Sequence, residues 1–183
     1  TAETLRRQWY ELGASVARAG VRKLVILNSH GGQIQVVQIV ARQLRIDHGM
    51  FTAAVSWPQL GLPDGLIDAA ERRHGIHAGE VETSVMLALH PEHVRMEAAA
   101  DFTPLTRRAE GDFPILMGLG AAGFGWQAQD LDASGAAGDA AAADAAKGEA
   151  ILDHVAGRLV ALFEEMVRWP LANLEDGPHP QDV

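Results

Sequence analysis

The chain has 183 residues, of which 48% are hydrophobic and 21% are charged, so it can bury a sizeable core and is not an intrinsically disordered protein. Its 24 acidic residues outnumber its 15 basic residues, and the formal net charge of -9 argues against a nucleic-acid partner. Because the chain has no cysteine, disulfides, thiolate nucleophiles and Cys-ligated zinc sites are excluded, and a bound metal would need His, Asp and Glu ligands.

The first third of the chain alternates helices and strands. Apolar residues at helical spacing predict a helix over residues 2–19, which Gly20 ends. The continuous apolar run at 23–27 is typical of a parallel strand buried on both faces. A second helix is predicted from Ile34 to Gly49 and a second strand over residues 51–56. This alternation predicts right-handed crossovers, a parallel sheet and an α/β fold.

The rest of the chain is predicted to hold loops and two further helices. Residues 57–78 contain Pro and Gly and are interpreted as a loop, followed by a third helix over 79–89. Residues 132–146 are small and polar and are interpreted as a long surface loop. The last helix is predicted over 147–169, and the Pro-rich tail after it is expected to be loose or docked on another subunit.

The length of the chain indicates a single domain over residues 1–183. No apolar run approaches the roughly 18 residues of a membrane-spanning helix, so we expect no membrane partner. The first twenty residues form a polar helical pattern rather than a secretory signal, and a cytoplasmic location is expected.

The strongest local motif is Asn-Ser-His-Gly-Gly at residues 28–32, between the first strand and the second helix. Open α/β sheets bind ligands beyond the carboxyl ends of their strands, so His30 is placed to bind a metal or a substrate. Asn28 and the close-approaching backbone of Gly31 and Gly32 are candidate substrate-binding groups. The alternative is that the Gly-Gly turn only connects the two elements. Its spacing fits neither a phosphate-binding loop nor a nucleophile elbow.

A second motif, at residues 74–84, contains two histidines and two glutamates at the entry of the third helix. His77 and Glu80 are three residues apart and can converge on one centre. Glu80 and Glu82 point about 200° apart on a helix, so we expect one of them at the site. For Glu82 we favour the interpretation that it complements the helix dipole as a first-turn carboxylate.

Two further features have ordinary explanations. His90, Glu92 and His93 are interpreted as a solvated helix end rather than a metal site, because Pro91 breaks the regularity that would align the rings. Trp126, within a Gly-rich turn, is a candidate for lining the substrate pocket or a subunit contact, and plain packing is the alternative.

Three segments resemble, in order, motifs of the creatininase family of metal-dependent amidohydrolases. Residues 28–33 resemble the Asn-Gly-His-Gly-Gly-Asn motif of that family, and residues 77–84 are similar to its His-Ala-Gly-Glu-x-Glu-Thr-Ser motif. Residues 130–139 resemble its Asp-Leu-x-x-x-Gly-x-x-Gly-Asp segment. The resemblance implies a three-layer α/β/α fold with a mostly parallel sheet, one or two divalent ions of zinc, manganese or iron per subunit, and a homo-oligomer that is often a hexamer.

The resemblance also implies an activity and roles for individual residues. The expected reaction is hydrolysis of a non-peptide or cyclic amide, or a formamide, in a small-molecule substrate. His30 and Glu80 are the expected metal ligands, and His77 is the expected proton shuttle. The notable alternative is a metal-free relative that serves as a binding or scaffold subunit.

Two departures from the family pattern shape these expectations. Family members carry an early Glu-x-His segment and a nearby aspartate, and nothing similar precedes His30, so we expect a missing N-terminal strand-loop-helix segment. Members that hydrolyse creatinine have a carboxylate where this chain has Gly32, which argues against creatinine. Relatives with the double-glycine form include deformylases of ring-opened purines or flavin precursors and the peptidase that trims the mycofactocin precursor.

Overall fold

A computed structural model describes residues 1–119 and 122–175. The chain forms two compact units, one built from Thr1–Gly61 with the chain from Val155 onward, and the other from Leu62–His154. That the whole chain is a single domain stays a prediction. The prediction for the Pro-rich tail falls largely on residues 176–183, outside the described residues.

The first unit contains the parallel sheet that the sequence predicts. Its strands pair in register from Lys23 opposite Phe51 to Asn28 opposite Ser56. The helices before and between the strands are also confirmed, with ends that differ from the predicted ones by no more than a few residues. The elements are α1 (Ala2–Arg18), β1 (Lys23–Asn28), α2 (Ile34–His48) and β2 (Phe51–Ser56), with 3₁₀ turns at Gly31–Gln33 and Trp57–Leu60.

The core of the first unit lies between α1, α2 and the sheet. Val40, Leu44 and Met50 are fully buried there, and burial of one such side chain contributes roughly 1.5–3 kcal/mol. Gly13 lets α1 approach α2 closely, because a Cβ at this position would overlap the Leu44 side chain. Gly49 ends α2 in the left-handed conformation and donates its N–H to the Arg45 carbonyl at 3.1 Å.

The second unit is built from short helices and a small antiparallel pair of strands. In chain order its elements are α3 (Ala69–His74), α4 (Glu80–Leu89), β3 (Asp101–Phe102), α5 (Leu105–Ala109), α6 (Ala128–Leu131), β4 (Gly138–Asp139) and the start of α7 (Ala145–Arg168). β3 pairs with β4, with Asp101 opposite Asp139. Pro91–His93 and Met96–Ala98 form 3₁₀ turns after α4. The predicted third and last helices are therefore confirmed as α4 and α7.

Two of the predicted loops are wrong. Residues 57–78 contain α3, whose N-cap Asp68 accepts a hydrogen bond from the Ala70 N–H at 2.7 Å. Residues 132–146 do not form a surface loop throughout, since Ala137, Ala140 and Ala143 are buried. The small side chains that suggested a loop instead let this segment pack closely against its neighbours.

No helix among the described residues is long and apolar enough to cross a membrane.

Candidate active site

The first motif lies where β1 ends and α2 begins, as predicted. Asn28 is the last residue of β1 and is buried. Its Nδ2 donates to the His30 carbonyl at 2.8 Å, and its Oδ1 accepts from Gln33 Nε2 at 2.8 Å. The Asn28 side chain therefore shapes the loop that carries His30. A direct contact of Asn28 with substrate stays a prediction.

His30 is exposed, and within the described residues its ring makes no hydrogen bond. Gly32 lies directly beside this ring. A Cβ added at Gly32 would be only 2.9 Å from His30 Nε2. A Cβ at Gly31 would meet nothing within 4 Å. Of the two glycines, Gly32 is thus the one that gives the imidazole its room.

The second motif brings His77 together with Glu82. His77 Nδ1 is 3.3 Å from Glu82 Oε2, and the same oxygen accepts a hydrogen bond from the Ala78 N–H at 2.7 Å. Both side chains are about half exposed, so the pair is accessible to a ligand. The sequence favours a helix-dipole role for Glu82, because Glu80 and Glu82 point in different directions on a helix. This contact was therefore missed. The sequence did contain a hint of this contact. His77 precedes the helix, so the direction of its side chain does not follow helical spacing.

The turn that carries this pair has an unusual backbone. Ala78 has a φ of 52°, the left-handed region that non-glycine residues rarely adopt, and no other described non-glycine residue has a positive φ. The Ala78 carbonyl accepts from Thr83 Oγ1 at 3.3 Å. His77 pairs with Ala137 through its N–H at 3.2 Å and its C=O at 2.7 Å. The backbone that carries the imidazole is therefore held on both sides of the turn.

Glu80 has a different partner. Its carboxylate is buried and accepts a hydrogen bond from Lys147 Nζ, which also donates to the Ala142 carbonyl at 2.8 Å. The hydrogen bond to Glu80 raises the pKa of Lys147 above its ordinary value. The role of Glu80 as a metal ligand stays a prediction, and it would require the carboxylate to exchange Lys147 for the ion.

Glu71 is a buried carboxylate that the sequence analysis did not single out. It accepts hydrogen bonds from the backbone N–H groups of Glu80 and Asp139. Both donors belong to segments that resemble family motifs, so the segments at 77–84 and 130–139 meet at this side chain. The only hint in the sequence is the cluster of glycines in and beside these motifs.

His74 and Trp126 are held by the interior of the second unit. The fully buried His74 ring contacts Thr106 Oγ1 and Glu110 Oε2, each at 3.2 Å. Trp126 Nε1 donates to the Gly118 carbonyl at 2.6 Å, which accounts for this half-buried ring as packing. Its predicted contact with substrate stays a prediction.

A separate cluster of His90, Glu92 and His93 lies just after α4. All three are exposed, as predicted, but Pro91 does not keep them apart, because it begins a 3₁₀ turn that brings one atom from each within 4.8 Å of the others. Glu92 Oε1 is 3.2 Å from His90 Nδ1 and 3.6 Å from His93 Nε2. This cluster is a second place where an added metal ion could bind the chain.

A surface cavity of about 370 Å³ adjoins the His77–Glu82 pair. Ala78, Glu82 and Thr83 form part of its wall, and Met86, Val94 and Met96 make much of the remainder apolar. Arg95 and His93 also line it. A ligand bound in this cavity would contact both an apolar wall and the carboxylate that holds His77.

The donor set fits a divalent metal in part. The exposed ring of His30 is a suitable ligand for zinc, manganese or iron. The carboxylate of Glu80 does not fit while it is paired with Lys147. A catalytic metal needs about three protein ligands and an open position, so His30 alone does not define a complete centre.

These features define the class of protein. It is an α/β chain with an exposed histidine after a parallel strand and with a His–Glu pair on a turn that backbone hydrogen bonds hold. A family model described as creatininase, creatinine amidohydrolase, matches residues 1–163. The chain therefore belongs to the creatininase family. Its α/β fold is also that of solved creatininase structures, as the sequence predicted.

Three relatives illustrate the similarity. The mycofactocin precursor peptide peptidase of Mycobacterium ulcerans is 35% identical over 106 residues, which cover 57% of this chain and 37% of that protein. A putative creatinine amidohydrolase from Bacteroides fragilis is 28% identical with a TM-score of 0.73, over 92% of this chain and 63% of that one. A mutant creatininase of the Zn–Zn type, 23% identical, shares the fold with a TM-score of 0.68, over 92% of this chain and 66% of that one. The chain thus spans less than two thirds of each relative.

Proposed function

We propose that this chain belongs to a metal-dependent hydrolase that cleaves an amide C–N bond with water, in a small non-peptide or cyclic amide or in a formamide. The observation that carries the proposal is the His77–Glu82 pair on the left-handed turn at Ala78. It lies in a chain whose residues 1–163 match the creatininase model. The pair can transfer a proton, and amide hydrolysis needs a proton transfer to the leaving nitrogen.

His77 is the proposed proton shuttle. Its Nδ1 faces Glu82, so the carboxylate orients the ring and stabilises the protonated imidazole, while Nε2 is the nitrogen available for proton transfer. Nε2 takes a proton from the attacking water and returns it to the nitrogen that leaves. This is the role that the family resemblance implies for His77, with Glu82 added as its positioning residue.

A bound divalent ion supplies the remaining chemistry, since it lowers the pKa of water and polarises a carbonyl. We propose His30 as one ligand and one or two ions of zinc, manganese or iron per subunit. The neighbour described as Zn–Zn type supports this class of ion. Glu80 is retained as a proposed ligand on the condition that Lys147 releases it.

The substrate contacts are proposed from the sequence motifs and from the cavity of the second unit. Asn28, Gly31, Gly32 and Trp126 are the candidate contacts from the sequence, and the cavity beside Glu82 suits an apolar substituent. Gly32 carries no carboxylate, which argues against creatinine. A peptide bond is the second candidate, because the 35% identical relative is named a peptide peptidase.

We further propose a cytoplasmic homo-oligomer, by family resemblance a hexamer, with neither nucleic acid nor membrane as a partner. Exposed Leu27, Phe163 and Val167 line a surface cavity of about 320 Å³ in the first unit, and such exposed apolar groups often mark subunit contacts. Light scattering on the complete protein tests the oligomeric state, and a monomeric mass would contradict the proposed homo-oligomer.

The test of the function is turnover by the complete, metal-loaded protein against creatinine, a cyclic amide, a formamide and a short peptide. His77→Ala should lower kcat on the order of 10² to 10⁴-fold on the accepted substrate, with unchanged metal content. His154→Ala, on α7 and outside the motifs and the cavity, is the matched control and should retain full turnover. Full turnover by His77→Ala would contradict the proposed role of His77, and the accepted substrate decides the bond class.

A further inference from the structure

The geometry points to Glu71 as a positioning residue for the His77–Glu82 pair, acting through the backbone turn that presents both side chains. The catalytic meaning of this inference rests on the proposed function of His77. The structural part does not, because it concerns which hydrogen bonds hold the turn in its left-handed conformation.

The first argument is the hydrogen bonding of the carboxylate. Glu71 lies in α3 and is only 7% exposed. Its Oε1 accepts from the Glu80 N–H at 2.9 Å, and its Oε2 accepts from the Asp139 N–H at 3.0 Å. One side chain therefore ties together α3, the first residue of α4 and the end of β4.

The second argument is the space around the carboxylate. A Cβ at Gly75, Gly79 or Gly138 would overlap Glu71 Oε1 in each case. Three backbone segments thus approach one oxygen more closely than any residue with a side chain allows. These glycines therefore form a close-fitting site around a carboxylate, which explains Gly75 and Gly79 in the second motif and Gly138 near the end of the third segment.

Glu71 also holds the turn that carries His77. The turn of residues 77–79 is fixed at its start by the paired hydrogen bonds between His77 and Ala137. It is fixed at its end by Glu71, through the N–H of Glu80. Between these points lies Ala78, in a conformation that persists only when its surroundings hold it. The Ala78 N–H is also the group that binds Glu82, so relaxation of the turn would move both members of the pair.

The arrangement requires a carboxylate rather than a neutral side chain of the same shape. Both oxygens of Glu71 face backbone N–H donors. A glutamine offers one carbonyl oxygen and one NH₂ group, and this NH₂ would face an N–H without an acceptor. Glu71→Gln therefore removes one of the two ties while it preserves the volume of the side chain.

The experiment compares Glu71→Gln with Glu97→Gln, the same change at an exposed glutamate of the same unit. Amide hydrogen exchange is followed at Glu80 and Asp139, which bind Glu71, and at Ala78, which binds Glu82. Turnover of the accepted amide is measured on the same complete protein.

We expect Glu71→Gln to accelerate exchange at Ala78 by about tenfold or more, together with Glu80 or Asp139. We expect kcat to fall roughly tenfold to a hundredfold with KM changed less than about twofold. Glu97→Gln should match the wild type in both. Faster exchange at Glu80 and Asp139 with unchanged Ala78 exchange and unchanged kcat would overturn the inference, since Glu71 would then be a structural tie alone.

A second variant keeps the test valid if Glu71→Gln does not fold. Glu71→Asp retains the charge but is one methylene shorter, so it cannot reach both amides, and the same pattern of exchange is expected. If no amide is hydrolysed even by the wild type, the proposed function fails. The exchange at Ala78 then still decides whether Glu71 holds the turn.

Discussion

At the scale of single residues, the two motifs depend on local backbone conformation more than on side-chain chemistry alone. Ala78 accepts a strained φ so that its N–H can hold Glu82 next to His77. Gly32 provides the space that the His30 ring occupies. In both motifs a small residue beside the histidine determines where the imidazole lies.

Replacement of the two neighbouring glycines of the first motif should give different outcomes. Gly32→Ala places a Cβ 2.9 Å from His30 Nε2, so the ring must move, and we expect metal affinity to fall about tenfold or more. Gly31→Ala meets no atom within 4 Å and should bind metal as the wild type does. Isothermal titration with zinc measures both. Equal affinities in the two variants would contradict the proposed place of His30 as a ligand.

At the scale of elements, α4 and the start of α7 are held together in the second unit by close packing and one ion pair. Gly148 of α7 packs so near Ser84 of α4 that an added Cβ would overlap the Ser84 carbonyl. The Asp144 N–H donates to Ser84 Oγ at 3.2 Å. Lys147 of α7 then reaches the buried carboxylate of Glu80. The packing and the ion pair together fix the start of the helix that follows His77.

Removal of the lysine should therefore destabilise this unit. Lys147→Met leaves the Glu80 carboxylate buried without a cation, and we expect a loss of about 2–3 kcal/mol in the free energy of unfolding. This is below the 3–5 kcal/mol of a fully buried pair, because the Lys147 side chain is 25% exposed. Adding Glu80→Gln should recover much of the loss. Urea denaturation measures all three, and an unchanged free energy in Lys147→Met would contradict the pairing.

The same pair gives stability a pH dependence. Glu80 raises the pKa of Lys147 above its ordinary value of 10.5 in the folded chain. The stabilisation is therefore fully present below pH 10.5 and is lost as the pH rises through the raised pKa. The wild type should lose stability across this range more steeply than Lys147→Met, which has no such group to deprotonate.

Along the chain as a whole, the sequence predicted the features that depend on residues close together in sequence. Helical spacing located α1, α2, α4 and α7, and strand patterns located β1 and β2, because each pattern is complete within one element. The motifs located His30 and His77. The pairings between distant segments were not accessible in this way, since Lys147 is 67 residues from Glu80 and Asp139 is 68 residues from Glu71.

The two glutamates Glu80 and Glu82 differ in a way that helical spacing does not predict. Helical spacing placed His77 and Glu80 on one face, but α4 begins at Glu80, so His77 lies outside the helix. The left-handed Ala78 redirects the imidazole to Glu82. A single backbone dihedral thus determined which carboxylate His77 meets, and no periodic pattern contains that information.

The most direct test of a metal-dependent hydrolase is elemental analysis of the complete protein together with its turnover. We predict about one or two divalent ions per chain, lost together with hydrolysis on chelation and restored together by zinc or manganese. His30→Ala should lose metal and activity, whereas His154→Ala, on α7 and outside the motifs, the cavity and the exposed cluster, should keep both. A protein that binds no stoichiometric metal and hydrolyses no amide would instead be a scaffold or binding subunit, and the proposal of an enzyme would be wrong.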